Sequence, residues 1–250
     1  MVSGGALASG FRLMLRCAMP RRAKPTTAWV VSQLDAAFGP VSWSSHGDPL
    51  DGLIQTILSQ HTNDVNSERA FDDMRRAFPG GWEAVRDAPV EAVIDAIRRG
   101  GLAAQKAKRI QEVLRSATET SGGCDLGFLE QLSTTDIQAY LQSFKGVGPK
   151  TAACVLMFCM GRPVLPVDTH VHRVSQRVGL IGPTVDEAKA HGILQSQLRD
   201  EDVYPYHVQL IRLGRRVCDA RKPQCGECPL SERCAFAIQE SRKPTVKLRG

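Results

Sequence analysis

Cys218, Cys225, Cys228 and Cys234 lie in one C-terminal stretch at the spacing C-x6-C-x2-C-x5-C, directly after a helical pattern. Thiols at such regular spacing read as ligands of a metal centre rather than as disulfide partners or core residues. Zinc and iron–sulfur both remain open. Zinc sites commonly pair two short C-x-x-C knuckles, whereas one close pair and two looped cysteines lean toward a cubane cluster. The first loop carries Arg221 and Lys222, so such a centre would hold a basic loop in shape. Of the other cysteines, Cys154 and Cys159 sit on an apolar helix face and read as small core residues.

The second constraint is Phe144 to Asp168, FKGVGPKTAACVLMFCMGRPVLPVD. Gly146 and Gly148 flank one apolar residue, so the backbone there is free to take positive φ and bring its amides to an anion. An apolar helix follows, which puts those amides at a dipole's positive end. Lys150 falls in that helix's first turn, where the dipole disfavours an ammonium and favours the neutral, nucleophilic amine. Asp168 opens the next helical pattern and is placed to cap it. Taken singly, a GxG is a helix–helix turn, the lysine a surface residue and the aspartate a cap. Together they make a nucleophile, a carboxylate and a phosphate-friendly turn.

Along the rest of the chain, helical patterns follow one another with no strand alternation, solenoid repeat or low-complexity run, which predicts an all-α fold. Thr26 or Thr27 caps a helix that ends at Gly39-Pro40, and Asp48-Pro49 opens another. That helix runs into the polar turn Ser59 to Asp64, where Gln60 and His61 are candidates to reach a base edge. Asp64 is expected to cap the next helix, which Pro79-Gly80-Gly81 ends, with a further short helix from Pro89. Gly100-Gly101-Leu102 is a second glycine turn. It leads into a helix from Ala103 whose Lys106, Lys108, Arg109 and Arg115 read as a solvated basic face.

The formal charge is +6, but the first 24 residues hold five basic residues and no acid, so the remainder is nearly neutral. Bulk charge therefore does not argue for nucleic-acid binding, which has to come from local patches. No run approaches the ~18 apolar residues of a membrane span, and no signal peptide is evident, so an intracellular protein is expected. The basic stretch 1–25 is expected to be a disordered leader. A start assigned too early, with Met14 and Met19 available, and an organellar transit peptide are the other readings.

GVGPKTA, VDTHVHRV eighteen residues after the lysine, and the four-cysteine motif together resemble the endonuclease III family of DNA glycosylases, of the helix-hairpin-helix, iron–sulfur type. The resemblance covers about residues 27 to 236. It implies a two-domain all-α fold: a six-helix domain at 42–162 with the hairpin, and a cluster domain made of 26–41 plus 163–250. It implies a four-iron four-sulfur (4Fe-4S) cluster on the four cysteines, and double-stranded DNA with damaged bases or abasic sites as the partner of a monomer. By position, Lys150 is the catalytic lysine and Asp168 the catalytic aspartate of a bifunctional glycosylase/AP lyase acting on oxidised or damaged pyrimidines in base excision repair. Lys145, Gly146, Gly148, Arg221 and Lys222 would meet phosphates. Gln60 or His61, with Leu102, would fill the gap left by a flipped nucleotide, although a buried turn leucine is the other reading of Leu102. The hairpin departs from the family's LPGVGRKTA at Phe144-Lys145 and Pro149, and the polar turn departs from SAQATD. The alternatives are a mismatch-type or pyrimidine-dimer glycosylase of the same superfamily, and a weakly active DNA-binding homologue. The adenine-mismatch branch lacks the lysine.

Overall fold

The computed structural model describes residues 23–241, and among these every regular element is helical. The expected leader falls, up to residue 22, outside the described residues. The elements are α1 (Thr27–Phe38), α2 (Pro49–Ser59), α3 (Asp64–Ala77), α4 (Gly81–Asp87), α5 (Val90–Ala96), α6 (Ala103–Ser121), α7 (Thr134–Ser143), α8 (Pro149–Cys154), α9 (Thr169–Val178), α10 (Glu187–Gln195), α11 (Asp200–Arg216) and α12 (Ala235–Ser241). No described helix is long and apolar enough to cross a membrane.

Local chemistry sets most of the helix starts. Asp48 Oδ1 accepts from the amides of Leu50 and Asp51, with Pro49 supplying a preset φ at the first helical position. Ser133 caps α7 through the Asp136 amide and donates its own hydroxyl to the Asp136 carboxylate. At α3 the expectation is corrected by one residue. Asn63 is the cap, accepting from the Asn66 amide at 2.9 Å, and Asp64 is the first helical residue. The short α4 was not legible from the glycines that precede it. Gly81 turns the chain at φ +82°, and burial of Trp82 and Val85 then holds one more helix in place. The Trp82 indole N–H donates to Asp51 Oδ1 at 2.7 Å.

Two apolar clusters carry the fold. One gathers Leu50, Leu53, Ile54, Ile57 and Leu58 of α2 around the inner faces of α6 and α7. At about 1.5–3 kcal/mol for each fully buried large side chain, the α2 stripe alone is a major stabilising term. The other gathers α1, α9 and α11 around Val30, Leu34, Val171, Tyr206 and Leu210, and reaches Leu230 and Cys234 in the cysteine loop.

A single segment joins them. Past α8 the helix widens into a π-helical turn, Val155–Cys159, whose Leu156 belongs to the first cluster and Met157 to the second. The wide turn leaves carbonyls without helical partners, and the segment between α1 and α2 supplies them. The Trp43 indole donates to Met157 O (2.6 Å), the His46 amide to Phe158 O (3.0 Å) and the Ser45 hydroxyl to Cys159 O (3.3 Å).

Candidate active site

The hairpin between α7 and α8 is anchored by burial of Phe144 and Val147, with the Val147 amide donating to Phe144 O. Its two glycines differ. Gly146 has φ +81°, and a Cβ there would fall 2.2 Å from the Arg109 guanidinium. Gly148 has an ordinary φ of −92° as the residue before α8, and a Cβ there would meet nothing within 4 Å. Positive φ is thus needed at Gly146 only, while open space lies over Gly148. Pro149 takes the first helical position, where its missing N–H costs nothing, so the departure from an arginine is compatible with the helix start. Lys145 is exposed on the turn.

These geometries separate two substitutions. Gly146→Ala is expected to lower stability in urea titration by about 1–2 kcal/mol, because alanine at that φ is strained and Arg109 must swing aside. Gly148→Ala is expected to stay within about 1 kcal/mol of the parent; its methyl group would take the space through which the phosphate that the resemblance implies would reach the amides, so weaker DNA binding is expected as well.

Lys150 and Asp168 open onto the same cleft, of about 300 Å³, together with Ser59, Cys154, Phe158 and His207. The cleft runs between the two apolar clusters. Asp168 caps α9, its Oδ1 accepting from the Val171 amide at 2.7 Å. His207 is buried on α11 and donates from Nδ1 to Pro166 O at 2.9 Å, which fixes the tautomer and leaves Nε2 as an acceptor. Burial pushes His207 down to about 4, against an opposing pull from Asp168, so the ring is neutral near pH 7. Burial likewise pushes the Cys154 thiol up, while the Lys150 ammonium beside it acts the other way. Cys154 is therefore more than a core residue: its thiol shares the cleft with the lysine. At the cleft's edge Arg215 and Asp64 pair at 2.6 Å, and with both side chains more than half exposed the pair contributes little to stability.

A second hollow of about 270 Å³ brings together Gln60, His61, Leu102, Lys106, Arg109 and Gly146. His61 (φ 54°) and Leu102 (φ 49°) both have left-handed backbones, a strained conformation for side chains of their size. Leu102 is 50% exposed, which excludes the buried-leucine reading. Gln60 turns inward, its Oε1 accepting from Arg109 and its Nε2 donating to Gly146 O and Thr151 Oγ1, so His61 is the outward residue of the pair. Lys106 corrects the expectation of a solvated basic face. It is 2% exposed and donates to Leu58 O (2.6 Å) and Gly100 O (2.8 Å), whereas Lys108 and Arg115 on the same helix are exposed.

The four cysteines line a third hollow with Arg177, Pro223 and Phe236. All four thiols are free. Burial pushes Cys228 up to about 11, and the neighbouring sulfurs add to the shift. A bound cationic centre would relieve that crowding. Among the described residues no three His, Cys, Asp or Glu groups converge as a single ion requires. Arg177 on α9 holds the loop, donating to Cys218 Sγ (3.3 Å), Asp219 O (2.7 Å) and Ala220 O (2.7 Å). Arg221 and Lys222 are exposed, and both of their amides donate to Asp219 Oδ1. Arg177 and His207 carry no local signal, because their partners lie 41 positions away, and Arg109, legible only as part of the basic face, turns to Gln60, 49 positions away.

Residues 54–198 match the family described as HhH-GPD superfamily base excision DNA repair protein, and residues 218–234 match the iron–sulfur binding domain of endonuclease III. Endonuclease III of Thermotoga maritima is 36% identical over 190 residues, 76% of this chain and 84% of that protein. A relative from Arabidopsis thaliana is 37% identical over 173 residues, and there the match spans 69% of this chain and only 59% of the relative. A solved non-covalent endonuclease III–DNA complex superposes with a TM-score of 0.73 at 26% identity, covering 86% of this chain and 97% of that one. The chain belongs to the HhH-GPD superfamily of base excision DNA repair proteins, and within it to the endonuclease III family.

Proposed function

We propose that this chain is a bifunctional DNA glycosylase/AP lyase, with Lys150 as nucleophile and Asp168 as its carboxylate partner, acting on oxidised or damaged pyrimidines. The observation that carries the reading is the opening of Lys150 and Asp168 onto one cleft between the two apolar clusters. A nucleotide rotated out of duplex DNA enters such a cleft with its sugar toward the lysine. The Lys150 amine attacks C1′, the glycosidic C–N bond breaks, and the base leaves with the bonding pair and takes up a proton. The sugar ring opens to a Schiff base on Nζ. Loss of a C2′ proton then expels the 3′ phosphate by β-elimination. Asp168 stabilises the positive charge that develops on the sugar. His207, neutral and fixed by Pro166 O, lines the same space.

The hairpin amides of Gly146 and Gly148, with Lys145, hold a backbone phosphate, and Arg221 and Lys222 extend that track. His61 and Leu102 fill the vacated stack. Cys218, Cys225, Cys228 and Cys234 would hold a 4Fe-4S cluster, which when bound cross-links the loop that presents Arg221 and Lys222. The division into a hairpin domain and a cluster domain is supported by the two apolar clusters. One chain supplies both walls of the cleft, which supports action as a monomer on DNA.

The test is a set of duplexes carrying an oxidised pyrimidine, a pyrimidine dimer, a mismatched thymine or an abasic site, each incubated with borohydride present. Covalent complexes on the oxidised pyrimidine and the abasic site are expected. Trapping on none of them overturns the lyase reading, and trapping on the dimer or the mismatch alone reassigns the substrate.

A further inference from the structure

Lys106 is an enclosed ammonium between the two turns assigned to gap filling. Its Nζ donates to Leu58 O, at the C-terminal end of α2, and to Gly100 O, at the end of the turn before α6. Three residues beyond the first carbonyl stands His61; two residues beyond the second stands Leu102. Those two are the only non-glycine residues of positive φ among the described ones. One side chain therefore grips both strained turns just ahead of the residue each one displays.

Stability alone gives a poor account of this lysine. Among the described residues the only charge acting on it is that of Arg109, a like charge one helical turn on, and a buried ammonium held by carbonyls is no more stabilising than a well-packed apolar side chain. It does supply geometry. The two carbonyls belong to turns 42 residues apart in sequence, and a short two-point contact fixes their separation. Arg109 extends the same grip to the hairpin, bonding Gln60 and lying against Gly146.

We propose that Lys106 is a positioning residue that sets the spacing of His61 and Leu102, so that both enter the gap left by a flipped nucleotide at once. This rests on the gap-filling reading above. Lys106 reaches no DNA itself, being enclosed, and acts through the turns. A duplex with its target still stacked needs both turns in register, whereas an abasic site in a single strand needs neither.

The experiment compares Lys106→Met, Leu102→Ala and the double variant of the full chain on a lesion duplex and on a single-stranded abasic oligonucleotide. Lys106→Met is expected to slow duplex excision between about tenfold and a hundredfold, the scale for misplacement by about an ångström. Its β-elimination on the single strand should change less than about twofold. The double variant should be no slower on duplex than the slower single variant, since both changes disable one device. The salt dependence of duplex binding should keep its slope, because no phosphate contact is lost. Equal losses on both substrates, full multiplication of the two effects, a shallower salt slope or unchanged duplex excision would each overturn the proposal. If Lys106→Met does not fold, Lys106→Gln, which keeps an N–H donor without the charge, is compared in its place. Unchanged duplex excision by Leu102→Ala would instead remove the gap-filling reading, leaving the two failures distinguishable.

Discussion

Glutamine in place of Lys150 is expected to abolish the borohydride-trapped complex and to slow base excision by at least about a thousandfold, equivalent to ~4 kcal/mol of barrier. The side chain is half-buried on the wall of the cleft, in the first turn of α8. Glutamine occupies nearly the same volume and suits a helix as well as lysine does, so the fold persists. What it lacks is a lone pair able to form a carbon–nitrogen bond, and among the described residues no other lysine lines that cleft. Helical content and melting temperature should match those of the parent while covalent trapping on abasic DNA disappears. Persistent trapping would assign the nucleophile elsewhere.

Asp168 holds two offices that a pair of substitutions separates. As the cap of α9 it accepts from the Val171 amide; as a carboxylate on the cleft wall it shares with Lys150 the space proposed to take the sugar. Asparagine caps a helix about as well as aspartate, whereas alanine forfeits roughly 1 kcal/mol. Asp168→Asn should therefore unfold at the parental urea concentration while excising base about a hundredfold to a thousandfold more slowly, the scale for losing one preorganised electrostatic contact. Asp168→Ala should lose the same activity and also the stability. Full excision by the asparagine variant would reduce the carboxylate to a cap.

The contrast between those two residues and Lys106 shows what a sequence displays. Asp48, Ser133 and Asp168 announce helix starts because the groups they satisfy lie two or three residues on, within reach of local pattern. Lys150 and Asp168 were legible as a pair because a glycine turn and a cap bracket one apolar helix. Lys106 looked like part of a basic face because its neighbours at similar spacing are exposed, while its enclosure depends on carbonyls that other turns bring to it. Gln60 and His61, adjacent and both polar, could be told apart only once Arg109 was seen to draw the glutamine inward. Helix α4 was hidden for a related reason, since Trp82 finds its partner at Asp51, 31 residues earlier.

The π-helical turn after α8 has a bearing on how this chain can vary. Leu156 and Met157 are consecutive and serve different apolar clusters. Lys150, one to two turns earlier on the same rod, must face the cleft between them. Adding or deleting one residue anywhere between Lys150 and Met157 rotates everything beyond it by about 100°. Either the amine then leaves the cleft or Met157 leaves its cluster. Side chains of similar volume can be exchanged along this rod, but its length is held constant from both ends, by the chemistry proposed for Lys150 at one and by packing at the other.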